Sequence, residues 1–422
     1  MTGPTRRQTL AMAGSAGLLA APALSAGRAH VVVVGGGFGG TAAARTLKEI
    51  APDTDVTLLV DADRFSTCPF SNLVLADEIP LSRITFGYDA VAAAGVSVRV
   101  GVAAEIDAAR KVVVLQDGNE IGFDRAIVSP GIDLNFGAIP GYDAGAAQRM
   151  PHAWKAGVQT ELLRDQIGAM PPGGTFVMSV PNNPYRCPPG PYERASLVAH
   201  RLSRINPTAK ILIVDGKDSF SKQSLFMEGW DRLYPGMITH VPFAENGGVK
   251  DVDAATLTVE TAFETFRGDV VNVIPPQTAA GVALRSGLAG DGDWCQIDQA
   301  TFESETAPGV HVLGDAAIVG DMPKSGFSAS VQGAVCAHVV ASWLKGAEPV
   351  SDAVLLNTCY SLLSPDYGIS VAGVYRVNAE GRLKSVRDAG GNSPMAADDG
   401  VRQAEAGFAL SWYDTLTRQL FG

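Results

Sequence analysis

His30-Val31-Val32-Val33-Val34-Gly35-Gly36-Gly37-Phe38-Gly39-Gly40-Thr41-Ala42-Ala43-Ala44-Arg45-Thr46-Leu47 is the stretch on which the fold turns. A continuous run of β-branched valines suits a parallel strand covered on both faces. It passes straight into glycines, and the glycines into a segment of helix formers. Gly35, Gly37 and Gly40 have GxGxxG spacing. In that pattern the first glycine permits a tight turn, the second lets the backbone approach a pyrophosphate, and the third brings helix close to strand. The helix N-terminus then faces the phosphate charge. Such a pattern is weak alone. Here a second strand, Asp55 to Val60, follows about twenty residues on and ends at Asp61, an acid placed for a ribose hydroxyl.

Downstream segments favour FAD over NAD. Ala126-Ile127-Val128-Ser129-Pro130-Gly131 resembles the strand and turn that close the first part of an FAD domain. Gly309-Val310-His311-Val312-Leu313-Gly314-Asp315-Ala316 resembles the flavoprotein motif in which an aspartate after a strand holds the ribityl chain. About 180 residues separate the two, so another domain is expected between them. That insert repeats strand, helix, strand over Gly173–Val180, Ala195–Arg201 and Lys210–Asp215. Its connecting loop, however, is Pro181-Asn182-Asn183-Pro184-Tyr185-Arg186-Cys187-Pro188-Pro189-Gly190-Pro191-Tyr192-Glu193. Prolines lack the N–H that cradles phosphate and fix φ where glycine is needed. A nicotinamide site is therefore expected to be lost, with a cysteine in its place.

The predicted fold is α/β: two Rossmann-like dinucleotide-binding-type domains, the first discontinuous, plus a small C-terminal domain, arranged as in disulfide reductases. The expected bounds are 29–145 with 280–345 for the FAD-binding domain, 146–279 for the insert, and 346–422 for a piece covering the flavin and facing a partner.

Composition is that of a folded globular protein, 46% hydrophobic and 18% charged over 422 residues. The formal net charge is -11. It becomes about -13 without the first 25 residues, which hold Arg6 and Arg7 and no acid. Such a surface excludes nucleic acid as a partner and could steer a basic protein. Thr5-Arg6-Arg7-Gln8-Thr9-Leu10, the apolar stretch to Leu24 and Ala23-Leu24-Ser25 read as a twin-arginine export signal over 1–28. The apolar stretch is too short for a membrane span. Periplasmic export and no span are thus expected, and the cysteines would meet an oxidising compartment. The five cysteines, Cys68, Cys187, Cys295, Cys336 and Cys359, show neither CxxC nor CxxCH spacing, and the six histidines show no ligand pattern. No metal is expected. The odd count leaves at least one cysteine unpaired or bonded to something other than sulfur.

At these residues the sequence resembles the flavoprotein subunit of flavocytochrome c sulfide dehydrogenase and its free-standing relatives in sulfur oxidation. The blocks that carry the resemblance are Thr67-Cys68-Pro69-Phe70-Ser71-Asn72, His152-Ala153-Trp154-Lys155-Ala156-Gly157, Arg186 to Ala195, Met322-Pro323-Lys324-Ser325-Gly326 and Asn357-Thr358-Cys359-Tyr360. It implies that Cys68 is bonded to the 8-methyl group of FAD, that Cys187 and Cys359 form a redox disulfide beside the flavin, and that Glu193 lies near them. It further implies hydrosulfide as substrate and a c-type cytochrome, bound or soluble, as acceptor. Departures are Asp61, one residue beyond the family's usual glutamate, Phe327 in place of a common tyrosine, and Cys336.

Blander roles stand beside each of these. Cys68 could be a small buried hydrophobe. Cys187 and Cys359 could be a structural staple contributing about 5 kcal/mol. Glu193 could simply suit a helix dipole. Lys324, expected near the flavin ring, could be a surface lysine, and Trp412, expected at the flavin edge, could be core. Cys295 and Cys336 are read as structural. Competing functions are a sulfide:quinone or NAD(P)H-linked disulfide oxidoreductase and a non-catalytic flavin carrier. The missing glycines argue against nicotinamide, and the lack of an amphipathic anchor against quinone.

Overall fold

The computed structural model describes residues 28–349 and 352–422. Residues 1–27, which hold nearly all of the expected export signal, lie outside them. Strand β1 (His30–Val34) leads into helix α1 (Phe38–Ile50), followed by β2 (Asp55–Val60), β3 (Ser97–Val100) and β4 (Arg125–Val128). Next come β5 (Thr175–Val180), α2 (Gly190–Ile205), β6 (Lys210–Asp215), α3 (Gln223–Leu233), β7 (Ile238–Val241) and β8 (Val270–Val273). The chain then forms β9 (Val310–Val312), α4 (Gly326–Leu344), β10 (Val354–Ser364), β11 (Tyr367–Val377) and α5 (Asp399–Phe421).

Two parallel sheets follow from this order. The first runs β9-β4-β1-β2-β3 and the second β7-β6-β5-β8. Strand β1 is central, and Val31, Val32 and Val33 are fully buried, which is why the sequence there shows no polar alternation. The first sheet takes β9 from far downstream, so the second sheet is an insertion. The chain leaves and returns along an antiparallel ribbon in which Ile132–Leu134 pairs with Gln277–Ala279.

α1 and α4 pack with almost no space between their backbones. A Cβ on Gly333 of α4 would sit 2.2 Å from the Gly39 carbonyl oxygen of α1. Among the described residues, α4 is the one helix long and apolar enough to cross a membrane, but more than half of it is buried inside the fold. It is a core helix whose N-terminus, capped by Ser325 accepting from Ser328 N, points at the junction of the three units. The remaining unit is the antiparallel hairpin β10-β11, extended by Leu383–Ser385 and Gly391–Asn392, with α5 packed against it. The strand ends of the first sheet, the loop that follows β5, the head of α4 and the edge strand β10 of the hairpin converge on one place, as open α/β sheets lead one to expect.

Candidate active site

That place is a cavity of about 680 Å³. The glycines that open it each do a different job. Gly35 has φ +104°, and a Cβ there would lie 2.2 Å from the Ser129 carbonyl oxygen. A Cβ on Gly40 would lie 1.9 Å from the Gly35 carbonyl oxygen, so α1 could not start so close to β1 with any other residue. Gly37 lines the cavity, and a Cβ there would meet only Phe65 ring carbons, at 3.6 and 3.8 Å. Gly37 is also the N-cap of α1 and makes no side-chain cap. The first N–H groups of α1 are thus left for a ligand. Asp61 lines the same cavity just past β2.

At the far end Asp315, following β9, also lines the cavity. Its Oδ1 is buried with no hydrogen-bond partner, and burial pushes its carboxyl up. The Nε of Arg186, another lining residue, is likewise buried and unpartnered. Uncapped helix donors at one end, an acid beside them and an orphaned carboxylate oxygen at the other fit FAD: Gly35–Gly39 for the pyrophosphate, Asp61 for the ribose, Asp315 for the ribityl chain.

Three cysteines, Cys68, Cys187 and Cys359, line the cavity together with Glu193 and Trp412. Cys68 follows a buried Thr67 whose hydroxyl meets Tyr413 Oη at 2.7 Å, and its Sγ donates to the Trp154 carbonyl at 3.5 Å. Cys187 sits at φ +59°, a left-handed conformation that costs a non-glycine residue about 1–2 kcal/mol. Its backbone is held by donation from its N–H to the Lys324 carbonyl at 2.8 Å. Cys359 lies mid-strand on β10. Burial raises the Cys187 thiol well above its ordinary value, and the nearby Cys359 and Glu193 push the same way. Burial also raises Cys359, opposed by Lys222. In this structure all five cysteines are free thiols, so the Cys187–Cys359 bond stays an expectation resting on their shared cavity.

Glu193, in the first turn of α2, accepts from Asn72 Nδ2 at 2.7 Å and from Leu362 N at 2.9 Å. Burial raises its carboxyl, partly offset by those two bonds. Trp412 stacks on Phe327 with ring centroids 5.9 Å apart at 9°. It links the cavity to an outer groove between α1, α4 and α5, also lined by Phe327, Tyr360 and Phe408. The Phe327 that departs from the family tyrosine therefore serves as a stacking partner.

Lys324 corrects the sequence reading. It does not line the cavity. Its Nζ donates to the carbonyls of Asp315 (2.8 Å) and Ala317 (2.7 Å) and lies 3.9 Å from the centre of the Trp294 ring. Burial lowers it to about 8. It fixes the backbone of Asp315, and through its own carbonyl that of Cys187.

Several buried partners complete the site. Arg194, 1% exposed, donates to Asn72 Oδ1, the His152 and Ala153 carbonyls and Asn272 Oδ1. Lys222, 6% exposed, donates to the Cys359 carbonyl and to Ser361 Oγ. Arg186 donates to the Trp154 carbonyl that also receives Cys68. Asn72, Arg186 and Arg194 fall inside the blocks quoted above, so the sequence carries a signal for them. Lys222 carries no local signal.

In the insert, the acid ending β6 is Asp215, fully buried. It accepts from Tyr192 Oη (2.6 Å) and Lys217 Nζ (2.7 Å), with His240 Nε2 at 2.9 Å. Phe220 stacks on Tyr192 with centroids 3.5 Å apart. The position where a nucleotide ribose would be held is filled by the chain's own side chains.

Comparison with known proteins gives the following. Residues 160–275 match the family described as sulfide dehydrogenase [flavocytochrome c] flavoprotein chain, central, and residues 351–421 match flavocytochrome c sulphide dehydrogenase, flavin-binding. Residues 29–162 match pyridine nucleotide-disulphide oxidoreductase. The chain is 52% identical over 48 residues to the sulfide dehydrogenase [flavocytochrome c] flavoprotein chain of Chlorobaculum thiosulfatiphilum, covering all of that sequence and 11% of this one. It is 22% identical over 344 residues to the mitochondrial sulfide:quinone oxidoreductase of Mus musculus, covering 76% of this chain and 72% of that one. In fold it is similar to the sulfide:quinone oxidoreductase from Aquifex aeolicus, with TM-score 0.71, 16% identity and 92% of each chain covered. The covalent putidaredoxin reductase–putidaredoxin complex gives TM-score 0.66 at 16% identity, with 90% and 94% covered.

Proposed function

The chain belongs to the flavocytochrome c sulfide dehydrogenase flavoprotein family and is an FAD-dependent oxidoreductase acting on sulfide; on that premise we propose that it works through a Cys187–Cys359 redox pair, with FAD tethered to Cys68 and a c-type cytochrome as acceptor. The observation that carries the reading is the gathering of Cys68, Cys187, Cys359 and Glu193 in the cavity opened by Gly35–Gly39. A structural staple would have no reason to face that space. We further propose export to the periplasm.

In the oxidised pair, hydrosulfide attacks one sulfur. A new S–S bond forms, the Cys187–Cys359 bond breaks, the proton of hydrosulfide stays on the new persulfide, and the other cysteine leaves as a thiolate. Glu193 is fixed by two donors and has its carboxyl raised by burial, so it can take a proton from incoming hydrogen sulfide. Arg194 orients Asn72, whose amide holds Glu193. FAD, when bound, supplies a two-electron acceptor that can pass its electrons on singly. Cys68 anchors that group, which matters for a protein whose cofactor could diffuse away outside the cytoplasm.

A quinone is the second reading, favoured by the groove that shares Phe327, Tyr360 and Trp412 with the cavity and exposes Phe408. Anaerobic rapid mixing separates the two. Sulfide should bleach the flavin, cytochrome c should restore it faster than decylubiquinone, and the cytochrome rate should fall with salt if the net charge of -11 steers a basic partner. Faster reoxidation by the quinone reverses the acceptor, and bleaching by NADH at sulfide's rate overturns the reading of the filled second site. Acid precipitation should leave FAD on the Cys68 peptide; flavin wholly in the supernatant refutes the tether.

A further inference from the structure

Lys222 is a charged side chain that the mechanism above does not use. It occupies the N-cap of α3 with φ +62°, where a non-glycine residue is strained, and is 6% exposed. Its Nζ donates to the Cys359 carbonyl at 2.8 Å and to Ser361 Oγ at 2.9 Å. Alternate residues of a strand project to one face, so Cys359 and Ser361 of β10 present their side chains on the side where this cation lies. A buried ammonium is expensive unless something offsets its charge. The groups that face it are Cys359, Glu193, Cys187 and Glu405. Around Cys359 itself stand Lys222, Glu193 and, from β11, Tyr375, so Lys222 is the cation on that side. Cys187 has Cys359, Glu193 and Cys68 against its ionisation and Arg186, tied to the Trp154 carbonyl, in favour, with Arg194 and Lys222 also within its reach. Of the two cysteines, Lys222 hydrogen-bonds the backbone of Cys359, so the two sulfurs stand unequally to its charge.

We propose that Lys222 is the positioning residue that makes Cys359 the leaving thiolate of the pair, and so directs the incoming sulfur onto Cys187. This rests on the disulfide reading above. In the exchange, hydrosulfide bonds to Cys187 Sγ, the bond from Cys187 to Cys359 breaks, and the electron pair goes to Cys359 Sγ, on the residue whose carbonyl holds the ammonium. The proton remains on the Cys187 persulfide, so atoms and charge balance with no further oxidant.

The test reads each thiol separately. The FAD-loaded protein, reduced with dithiothreitol, is alkylated with iodoacetamide across a pH series, and mass spectrometry gives a midpoint for the Cys359 and Cys187 peptides. Cys359 should ionise at lower pH than Cys187. Lys222→Met should raise the Cys359 midpoint by about one pH unit, and Lys222→Arg should restore it. If Lys222→Met does not fold, Lys222→Gln, a neutral donor, carries the same comparison. Quenching the oxidised wild type soon after sulfide is added should leave the persulfide on the Cys187 peptide. An unchanged Cys359 midpoint without the lysine charge, or persulfide on Cys359, overturns the proposal. Failure of sulfide to bleach the wild-type flavin would count against the function, while the midpoints would still decide the order of the thiols.

Discussion

Replacing Arg194 by methionine should be among the most damaging single changes outside the cysteines, and the structure says by how much. The guanidinium is 1% exposed and donates four hydrogen bonds, at 3.1 Å to Asn72 Oδ1, 2.9 Å to the His152 carbonyl, 2.9 Å to Asn272 Oδ1 and 2.6 Å to the Ala153 carbonyl. Its carbon also lies 5.0 Å from the centre of the Trp154 ring. Methionine fills most of the space but donates nothing. The His152 carbonyl keeps a donor, because Asn272 Nδ2 reaches it at 2.9 Å. The other three acceptors are stranded, at roughly 1–3 kcal/mol each. Against that stands relief from burying a cation, several kcal/mol in the other direction. The net loss should be about 3–5 kcal/mol, as for removal of one member of a buried charged network. Lysine, with three donors and no planar fork, should recover only part of it. Urea unfolding followed by circular dichroism reads the loss, with slope and midpoint taken separately. A second readout is specific to function. Arg194 holds the oxygen of Asn72 while its amide donates to Glu193, and both that amide bond and the nearby guanidinium lower the Glu193 carboxyl. Without the clamp the carboxyl should rise further, moving the acid limb of sulfide-driven flavin reduction to higher pH. A loss below about 1 kcal/mol with an unmoved limb would show that water replaces the guanidinium and that the clamp argument is wrong.

Gly40→Ala places a methyl 1.9 Å from the Gly35 carbonyl oxygen, so either α1 or the loop must move, and flavin per purified chain should fall to a small fraction of wild type; normal flavin content would refute the role given to that glycine. Burial alone would raise the Asp215 carboxyl, but His240, Lys217 and Tyr192 together hold it below its ordinary value. A depressed carboxyl gives stability that is present above its unfolded value and lost as pH falls, so Asp215→Asn should flatten the acid side of the melting-temperature profile. At neutral pH it should cost about 3–5 kcal/mol, because Lys217 is left buried without a counter-charge. An unchanged acid slope in the variant would mean Asp215 is not the group responsible.

What the sequence made legible was local. The glycine turn, the uninterrupted valine strand and the acids Asp61 and Asp315 are short patterns in which backbone sterics and charge dictate residue type over a few positions. The three cavity cysteines were legible through blocks of neighbouring residues. What escaped was set by distance along the chain. Lys222 meets Cys359 across 137 residues, and a lone charged residue in a polar segment gives no hint that a strand from another unit will cover it. Lys324 failed for the opposite reason. It follows Asp315 closely in sequence, which suggested the flavin, yet an ammonium there is best satisfied by the backbone carbonyls of Asp315 and Ala317 and the face of Trp294.

The insert shows how one structural change can remove one chemistry and install another. Its strands β5 and β6 are paired as β1 and β2 are, and both second strands lead to an acid at the carboxyl end, Asp61 after β2 and Asp215 closing β6. Asp61 faces the cavity, whereas Asp215 is consumed by Tyr192, Lys217 and His240. Tyr192 belongs to the first turn of α2, the helix entered from the proline loop that holds Cys187. The loop's prolines remove the amides a pyrophosphate would need, its tyrosine fills the ribose position, and its cysteine is turned at φ +59° into the flavin cavity. Restoring a glycine loop would therefore displace Cys187 and unseat Tyr192 together, so in this chain the loop that holds the thiol cannot also hold a nicotinamide pyrophosphate.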